Sequence, residues 1–234
     1  MDMTEFKVNV AGQNTRASLS LPLRNYRRCW NRSELIELFP DQGIDILDIG
    51  AGPLPFGGRD QDHLTTIDFG PEYGADFVAD VSQSWPFDEN QFDLVYMSHV
   101  VEHFYPADRD KVLCNVNRSL KPGGMLFIRV PHFSGLQAVG WEHYSVYGMN
   151  SAMSLSHGYN PNLPMFRTVS IGVALSIDFT GPRSLVRRIA EKILNKSIRL
   201  TDQYLSHLIG GIDEVQFLLQ KLTVAEEQRM RAEQ

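Results

Sequence analysis

The sequence predicts an α/β fold, a doubly wound and mostly parallel seven-stranded sheet with an aromatic-rich lid insert. Two patterns carry that prediction. Short apolar runs alternate with segments of helical period, and the run from Ile44 to Ile49 stops at the glycines of Gly50-Ala51-Gly52. Glycine there lets a ligand approach the backbone and allows positive φ, so the turn suits a nucleotide-like ligand. A further apolar run ends in Asp68, sixteen residues after Gly52. A carboxylate at that offset accepts hydrogen bonds from the two hydroxyls of a ribose. The expected ligand is of the adenosine type.

The elements follow in order. Residues 1–30 alternate weakly (Phe6, Val8, Val10), and Ser33 opens a short capped helix that Pro40 stops. Ile44–Ile49 is the first strand, His63–Asp68 the second, a short Asp76–Ala79 the third and Phe92–Met97 the fourth. Arg109–Leu120 has apolar residues at 112, 113, 116 and 120, a helical period. It ends at Lys121-Pro122-Gly123-Gly124, and Met125–Val130 is the fifth strand. Ile171–Phe179 and Glu214–Leu222 complete the sheet, with a basic helical segment around Arg187 and Arg188 between them and a solvated tail over 225–234. The organisation expected is a single domain over 1–234: an arm (1–40), a cofactor-binding core (41–131), an aromatic-rich lid insert (132–168), and C-terminal strands with the basic helix (169–224).

Composition bounds the function. A chain of 234 residues, 43% hydrophobic and 21% charged, is typical of a soluble globular protein. A net charge of −6 disfavours nucleic acid and anionic membrane as partners. Cys29 and Cys114 stand in no metal or redox spacing. No membrane span or signal peptide is read, so the expected location is cytoplasmic.

A dinucleotide fingerprint needs a third glycine, and Pro55 stands in its place. Between Gly52 and His63 two prolines and two glycines leave no room for an ordinary helix, so a pyrophosphate would lose the helix N-terminus that holds it. Both points count against a nicotinamide-dependent oxidoreductase. S-adenosylmethionine carries no phosphate and loses nothing.

Ile46-Leu47-Asp48-Ile49-Gly50-Ala51-Gly52-Pro53 resembles the first motif of class I S-adenosylmethionine-dependent methyltransferases. Trp85-Pro86-Phe87-Asp88, Ser98-His99-Val100-Val101-Glu102-His103-Phe104 and Leu120-Lys121-Pro122-Gly123-Gly124 resemble later blocks of that family, in order, between Ile44 and His132. The resemblance implies a Rossmann-like fold of the methyltransferase type 11 kind, in a bacterial subgroup with a shortened first helix whose members often accompany surface-polysaccharide or other glycan biosynthesis. It implies that Asp48, Gly50 and Gly52 border the methionine and ribose, that Asp68 takes the ribose hydroxyls, and that Asp80 and Val81 flank adenine. Ser98 and His99 would lie beside the methionine tail.

His99 and His103 stand four residues apart with Glu102 between them, and His132 and His143 follow the fifth strand. Ends of adjacent strands open into one crevice, so these groups are expected to converge. One role is general base, for which His99, His103 and His143 are candidates. Another is a divalent metal held by His99, Glu102, His103 and His143. Plant small-RNA 3′-end methyltransferases and some that act on quinone precursors hold a metal at a similar stretch, whereas many relatives use Glu-His only to anchor a helix. The acceptor expected is a small molecule or glycan, methylated on oxygen or nitrogen and walled by aromatics of the 132–168 insert such as Trp141 and Tyr144. The alternative is a catalytically inactive S-adenosylmethionine-binding regulatory module.

Overall fold

The computed structural model describes residues 7–9, 18–20, 28–40, 43–158, 160–175, 183–208 and 211–233, with side chains left aside at 7–9, 18–20, 183–188 and 208. Strands β1 (Lys7–Asn9) and β2 (Ser18–Ser20) pair antiparallel. Helix α1 (Arg32–Ile36) is capped by Asn31 rather than Ser33. The Asn31 side chain accepts the Glu34 N–H while the Glu34 carboxylate accepts the Asn31 N–H, both at 2.9 Å. Ser33 lies inside the helix because that reciprocal box is centred on a cap two residues earlier.

The central sheet holds β3 (Asp45–Ile49), β4 (His63–Asp68), β5 (Phe77–Val78), β6 (Phe92–Ser98), β7 (Leu120–Pro131), β8 (Phe166–Ala174) and β9 (Glu214–Lys221). Their order is β5-β4-β3-β6-β7-β9-β8, parallel except for β9, which runs antiparallel to both β7 and β8. Seven mostly parallel strands are as expected. The order reverses at β3, between β4 and β6, which puts the ligand crevice at the carboxyl ends of those strands.

Side chains alternate across the pleat. Leu47, Ile49, Val95, Met97, Leu126 and Ile128 face one core layer, against α2 (Pro106–Ser119) and the insert. Ile46, Leu94, Tyr96 and Phe127 face the other, beneath Trp30, α1 and Phe56. Residues 50–62 carry no helix, and side chains pin them instead. Arg32 donates to the Leu54 and Pro55 carbonyls at 2.8 Å each, Arg59 to the Phe39 carbonyl at 2.9 Å and to Asp62, and Asp48 accepts the Phe56 N–H at 2.7 Å.

Three further features differ from expectation. Lys121–Gly124 is carried inside β7 as an irregularity, its register shifting between Phe92 and Leu94 of β6, instead of standing as a turn between the helix and a strand that begins at Met125. The sixth strand is Phe166–Ala174, displaced toward the N-terminus of Ile171–Phe179 because its pairing with β9 begins at Phe166 opposite Lys221. Residues 176–179 of that expectation lie outside the described residues. The expected tail is a helix. After α3 (Ser151–Ser156), α4 (Arg183–Leu194), α5 (Ile198–Leu200) and α6 (Ser206–Leu208), helix α7 (Val224–Ala232) is closed by a Thr223–Glu226 capping box. Arg167 and Glu226 tie it to β8 at 2.7 Å, and Arg231 reaches the Leu163 carbonyl at 2.9 Å. The basic segment is helical as α4, but the side chains of Arg187 and Arg188 lie outside those described. Among the described residues no helix is long and apolar enough to cross a membrane.

Candidate functional site

At the carboxyl ends of β3, β4 and β6 lies a cleft of about 740 Å³, lined by residues that include Gly50, Gly52, Asp68, Asp80, Val81 and His99. Its floor is the glycine turn. Gly50 has φ +70°, and a Cβ there would stand 2.3 Å from Val100 Cγ2. Gly52 has φ +54°, and a Cβ there would meet nothing nearer than the Gly50 carbonyl oxygen at 4.0 Å, so it would project into open space. The turn is held by Gly50 N–H donating to the Ile67 carbonyl at 2.8 Å.

Asp68 is 6% exposed. Oδ2 accepts the Gly52 N–H and Oδ1 the Gly70 N–H, each at 2.9 Å. A carboxylate has about four acceptor positions, so the backbone fixes this one and leaves lone pairs free at the cleft. Asp80 is ordered the same way, its Oδ1 accepting the Ser82 N–H at 2.8 Å.

Two members of the expected cofactor set do not line the cleft. Asp48 points to the α1 face of the sheet, 2% exposed, with the Phe56 N–H on its Oδ2. Burial pushes its carboxyl up to about 6, against the lowering by the Phe56 hydrogen bond and by Arg32. Ser98 is taken up by pairing with Arg129 across β6 and β7.

His99 lines the cleft with φ 57°, unusual for a residue with a side chain. Its Nδ1 stands 3.3 Å from Glu102 Oε1 and its Nε2 3.1 Å from Glu214 Oε1. Hydrogen bonds to Glu102 and then Glu214 outweigh partial burial and hold the imidazole up at about 9. Glu214 is held below its ordinary value by His99 and Arg129 against the opposing effect of burial, and Arg129 Nε donates to its Oε2 at 2.8 Å. His99 is therefore an imidazolium at neutral pH with both N–H groups engaged, and it cannot accept a proton. That corrects its assignment as a general base, which two carboxylates preclude.

His132 does not converge on the cleft either. It is fully buried, its Nε2 3.2 Å from Asp202 and its Nδ1 2.8 Å from Ser134 Oγ, where it fastens the insert to the π-helical turn Thr201–Leu205. Glu102, His103 and His143 do come together, with one ligand atom from each within 4.8 Å of the others. His99 of the expected metal set is turned toward Glu214 instead.

The insert contributes unevenly. Tyr144 lines the cleft and stacks on Tyr105 at 4.0 Å between centroids. The Tyr144 N–H donates to the Glu102 carbonyl at 2.8 Å, which ties this segment to the site. Trp141 is 99% exposed and does not line the cleft. Tyr105 and Phe69 at the mouth were legible as aromatics beside Glu102-His103 and Asp68, yet nothing in their spacing marked them as site residues. A further cavity of about 770 Å³ opens on the α1 face, lined by residues including Trp30, Arg32, Glu34, Arg129, Glu214 and Gln216. Glu214 lines it while bonding His99, so the arm reaches the same region as the cleft.

A seven-stranded sheet of this order, with its switch point at β3, is the fold seen in class I S-adenosylmethionine-dependent methyltransferases. Residues 60–128 match a family described as a methyltransferase domain. An uncharacterized methyltransferase of Synechocystis sp. is 37% identical over 51 residues, 22% of this chain and 24% of that protein, so the chain spans about a quarter of the length of this curated relative. Among solved structures, a SAM-dependent methyltransferase from Archaeoglobus fulgidus is 16% identical with TM-score 0.55, covering 81% of this chain and 92% of that one. The [4+2]-cyclase SpnF is 17% identical with TM-score 0.51, covering 85% and 86%. Likeness at this level is one of fold, and the fold hosts more than one chemistry.

Proposed function

We propose that the chain transfers a methyl group from S-adenosylmethionine to oxygen or nitrogen of a small-molecule or glycan-type acceptor. The observation that carries this reading is Asp68, fixed by two backbone N–H groups with lone pairs left over, beside the open space over Gly52. Two adjacent hydroxyls of a ribose match that acceptor pattern. The fit extends to Asp80, whose second oxygen is left for an exocyclic amine, and to Val81, 6% exposed, as an apolar wall for a purine. The donor supplies an electrophilic methyl on a sulfonium.

The chain's own part is mostly alignment, which accounts for much of the acceleration of a displacement. The His99 cation, set between Glu102 and Glu214, donates to both and cannot take the acceptor's proton. His103 and His143 carry the remaining nitrogen lone pairs near the cleft. Those lone pairs accept a proton or ligate a cation.

Calorimetric titration with S-adenosylmethionine tests the donor site. Asp68→Asn keeps the shape but removes the charge, and loss of hydrogen bonds to a charged group is expected to weaken binding by about 1.5–3 kcal/mol, roughly ten- to a hundredfold. Unchanged affinity would overturn the ribose assignment. Transfer of labelled methyl into a panel of sugars, nucleotide sugars and small phenolic or carboxylic acids tests the chemistry. Tight donor binding without transfer to any of them would instead favour a regulatory binding module.

A further inference from the structure

We propose that Glu102, His103 and His143 form a binding site for one divalent first-row transition-metal ion, beside the donor cleft. This goes beyond methyl transfer and does not depend on it.

Three features of the donor atoms point to a cation. Glu102 is 1% exposed, and while its Oε1 faces His99 at 3.3 Å its Oε2 is buried with no hydrogen-bond partner. A buried carboxylate oxygen left unpaired is costly, and a cation is the partner that repays it most. His143 Nδ1 is likewise buried and unpartnered. His103 Nδ1 lies 3.1 Å from the Glu142 carbonyl oxygen. A carbonyl only accepts, so Nδ1 carries the proton and the lone pair is on Nε2. A ligating histidine whose other nitrogen donates to a backbone carbonyl is the usual outer-shell arrangement around a metal.

The frame exists without the ion. Tyr144 N–H donates to the Glu102 carbonyl at 2.8 Å and His143 N–H to Gly140 at 3.0 Å, so the two segments bearing the ligands are locked together. The His103 and His143 rings meet edge to face, 4.7 Å between centroids at 82°, which leaves their nitrogens free of ring stacking. One donor atom from each residue lies within 4.8 Å of the others. Bonds of about 2.0–2.2 Å put the ligands of a tetrahedral ion about 3.4 Å apart, so small side-chain rotations close the set. Two imidazoles and one carboxylate suit zinc, iron or manganese better than calcium or magnesium, and three protein ligands leave coordination positions open. A divalent ion held there lowers the pKa of a hydroxyl bound to it, which favours oxygen as the accepting atom.

The test is calorimetric titration of chelator-stripped full-length protein with Zn²⁺ and, separately, Mn²⁺, alongside elemental analysis of the protein as purified. No donor or acceptor is present. Failure here therefore leaves methyl transfer standing, and a failed methylation assay leaves this site standing. The expected result is one saturating ion per chain, with affinity lowered more than about tenfold in Glu102→Gln, His103→Ala and His143→Ala. His63→Ala should bind as the parent does, since that histidine is exposed at the amino end of β4 and its ring pairs with Asp45. Glu102→Gln conserves volume and His103 is an exposed side chain, so a folded variant is available even if one of the three fails to fold. Absence of saturable binding, or affinity equal to the parent's in Glu102→Gln and His103→Ala, overturns the proposal; Glu102 Oε2 and His143 Nδ1 would then be served by buried water.

Discussion

Replacing Asp48 by asparagine should stabilise the protein at neutral pH, and the gain should grow with pH. Burial raises the Asp48 carboxyl from 3.8 to about 6 in the folded chain. Between those values the unfolded chain has released its proton while the folded chain keeps it, so each increment of pH lowers stability. Above about 6 both forms are ionised and the full cost persists. At about 1.4 kcal/mol per pH unit the cost is about 1.5 kcal/mol at pH 5 and about 3 kcal/mol at pH 7.5. Asparagine keeps an oxygen for the Phe56 N–H, and the raised value already includes what that bond and Arg32 contribute to the ionised form. The gain expected is then up to about 1.5 kcal/mol at pH 5 and about 3 kcal/mol at pH 7.5. Urea unfolding of both proteins at the two pH values, with equal slopes, measures it. A variant less stable at pH 7.5, or a difference that does not change with pH, would refute the claim that Asp48 is a buried acid whose ionisation opposes folding.

Three further outcomes follow from named contacts. Gly50→Ala forces a side chain onto φ +70° and a Cβ to 2.3 Å from Val100 Cγ2. It should lose several kcal/mol of stability, and Val100→Ala should restore all but the backbone strain of about 1–3 kcal/mol; thermal unfolding of the double variant checks this. Lys121→Met strips the cation that lies 2.7 Å from both Asp45 and Asp93, leaving Asp93 buried at 3% exposure. A loss of about 1–2 kcal/mol is expected, a fall in Tm of about 2–8 °C by calorimetry. Thr223→Ala opens the capping box of α7 and should cost about 1 kcal/mol, seen as faster amide exchange at Glu226 with exchange in β3 unchanged.

The sheet was legible in the sequence because each strand is local. Ile44–Ile49 and Phe92–Met97 are apolar runs with turn signals at their ends, and a buried parallel strand needs little else. The missing helix after Gly52 was legible for the same reason, since prolines and glycines forbid it. What replaces the helix was not, because Arg32 reaches Leu54 and Pro55 from 22 and 23 residues away. The protonation of His99 was out of reach too. Its partner Glu214 lies 115 residues on, and only the antiparallel pairing of β9 with β7 brings that acid over the site. The cap at Asn31 was missed for a smaller reason, as Asn31 and Ser33 both precede an acid in a helical run and only backbone geometry separates them.

The acids along these strands are sorted by depth, and depth explains why Asp48 does not line the cleft. Asp45 and Asp93 open β3 and β6 at the amino ends, where Lys121 bridges them. Asp48 sits inside β3, opposite Thr66 and Tyr96, too far down the strand to reach the crevice, and it spends its charge on the Phe56 loop. Asp68 closes β4, and Asp80 follows β5. Both stand past the point where parallel strands stop covering each other, where backbone N–H groups and ligand meet. A motif written as Asp-Ile-Gly-Ala-Gly counts residues and not depth, so it groups Asp48 with the glycines that it only supports. By depth, Asp68 and Asp80, and not Asp48, are the acids whose loss should alter donor affinity at unchanged fold.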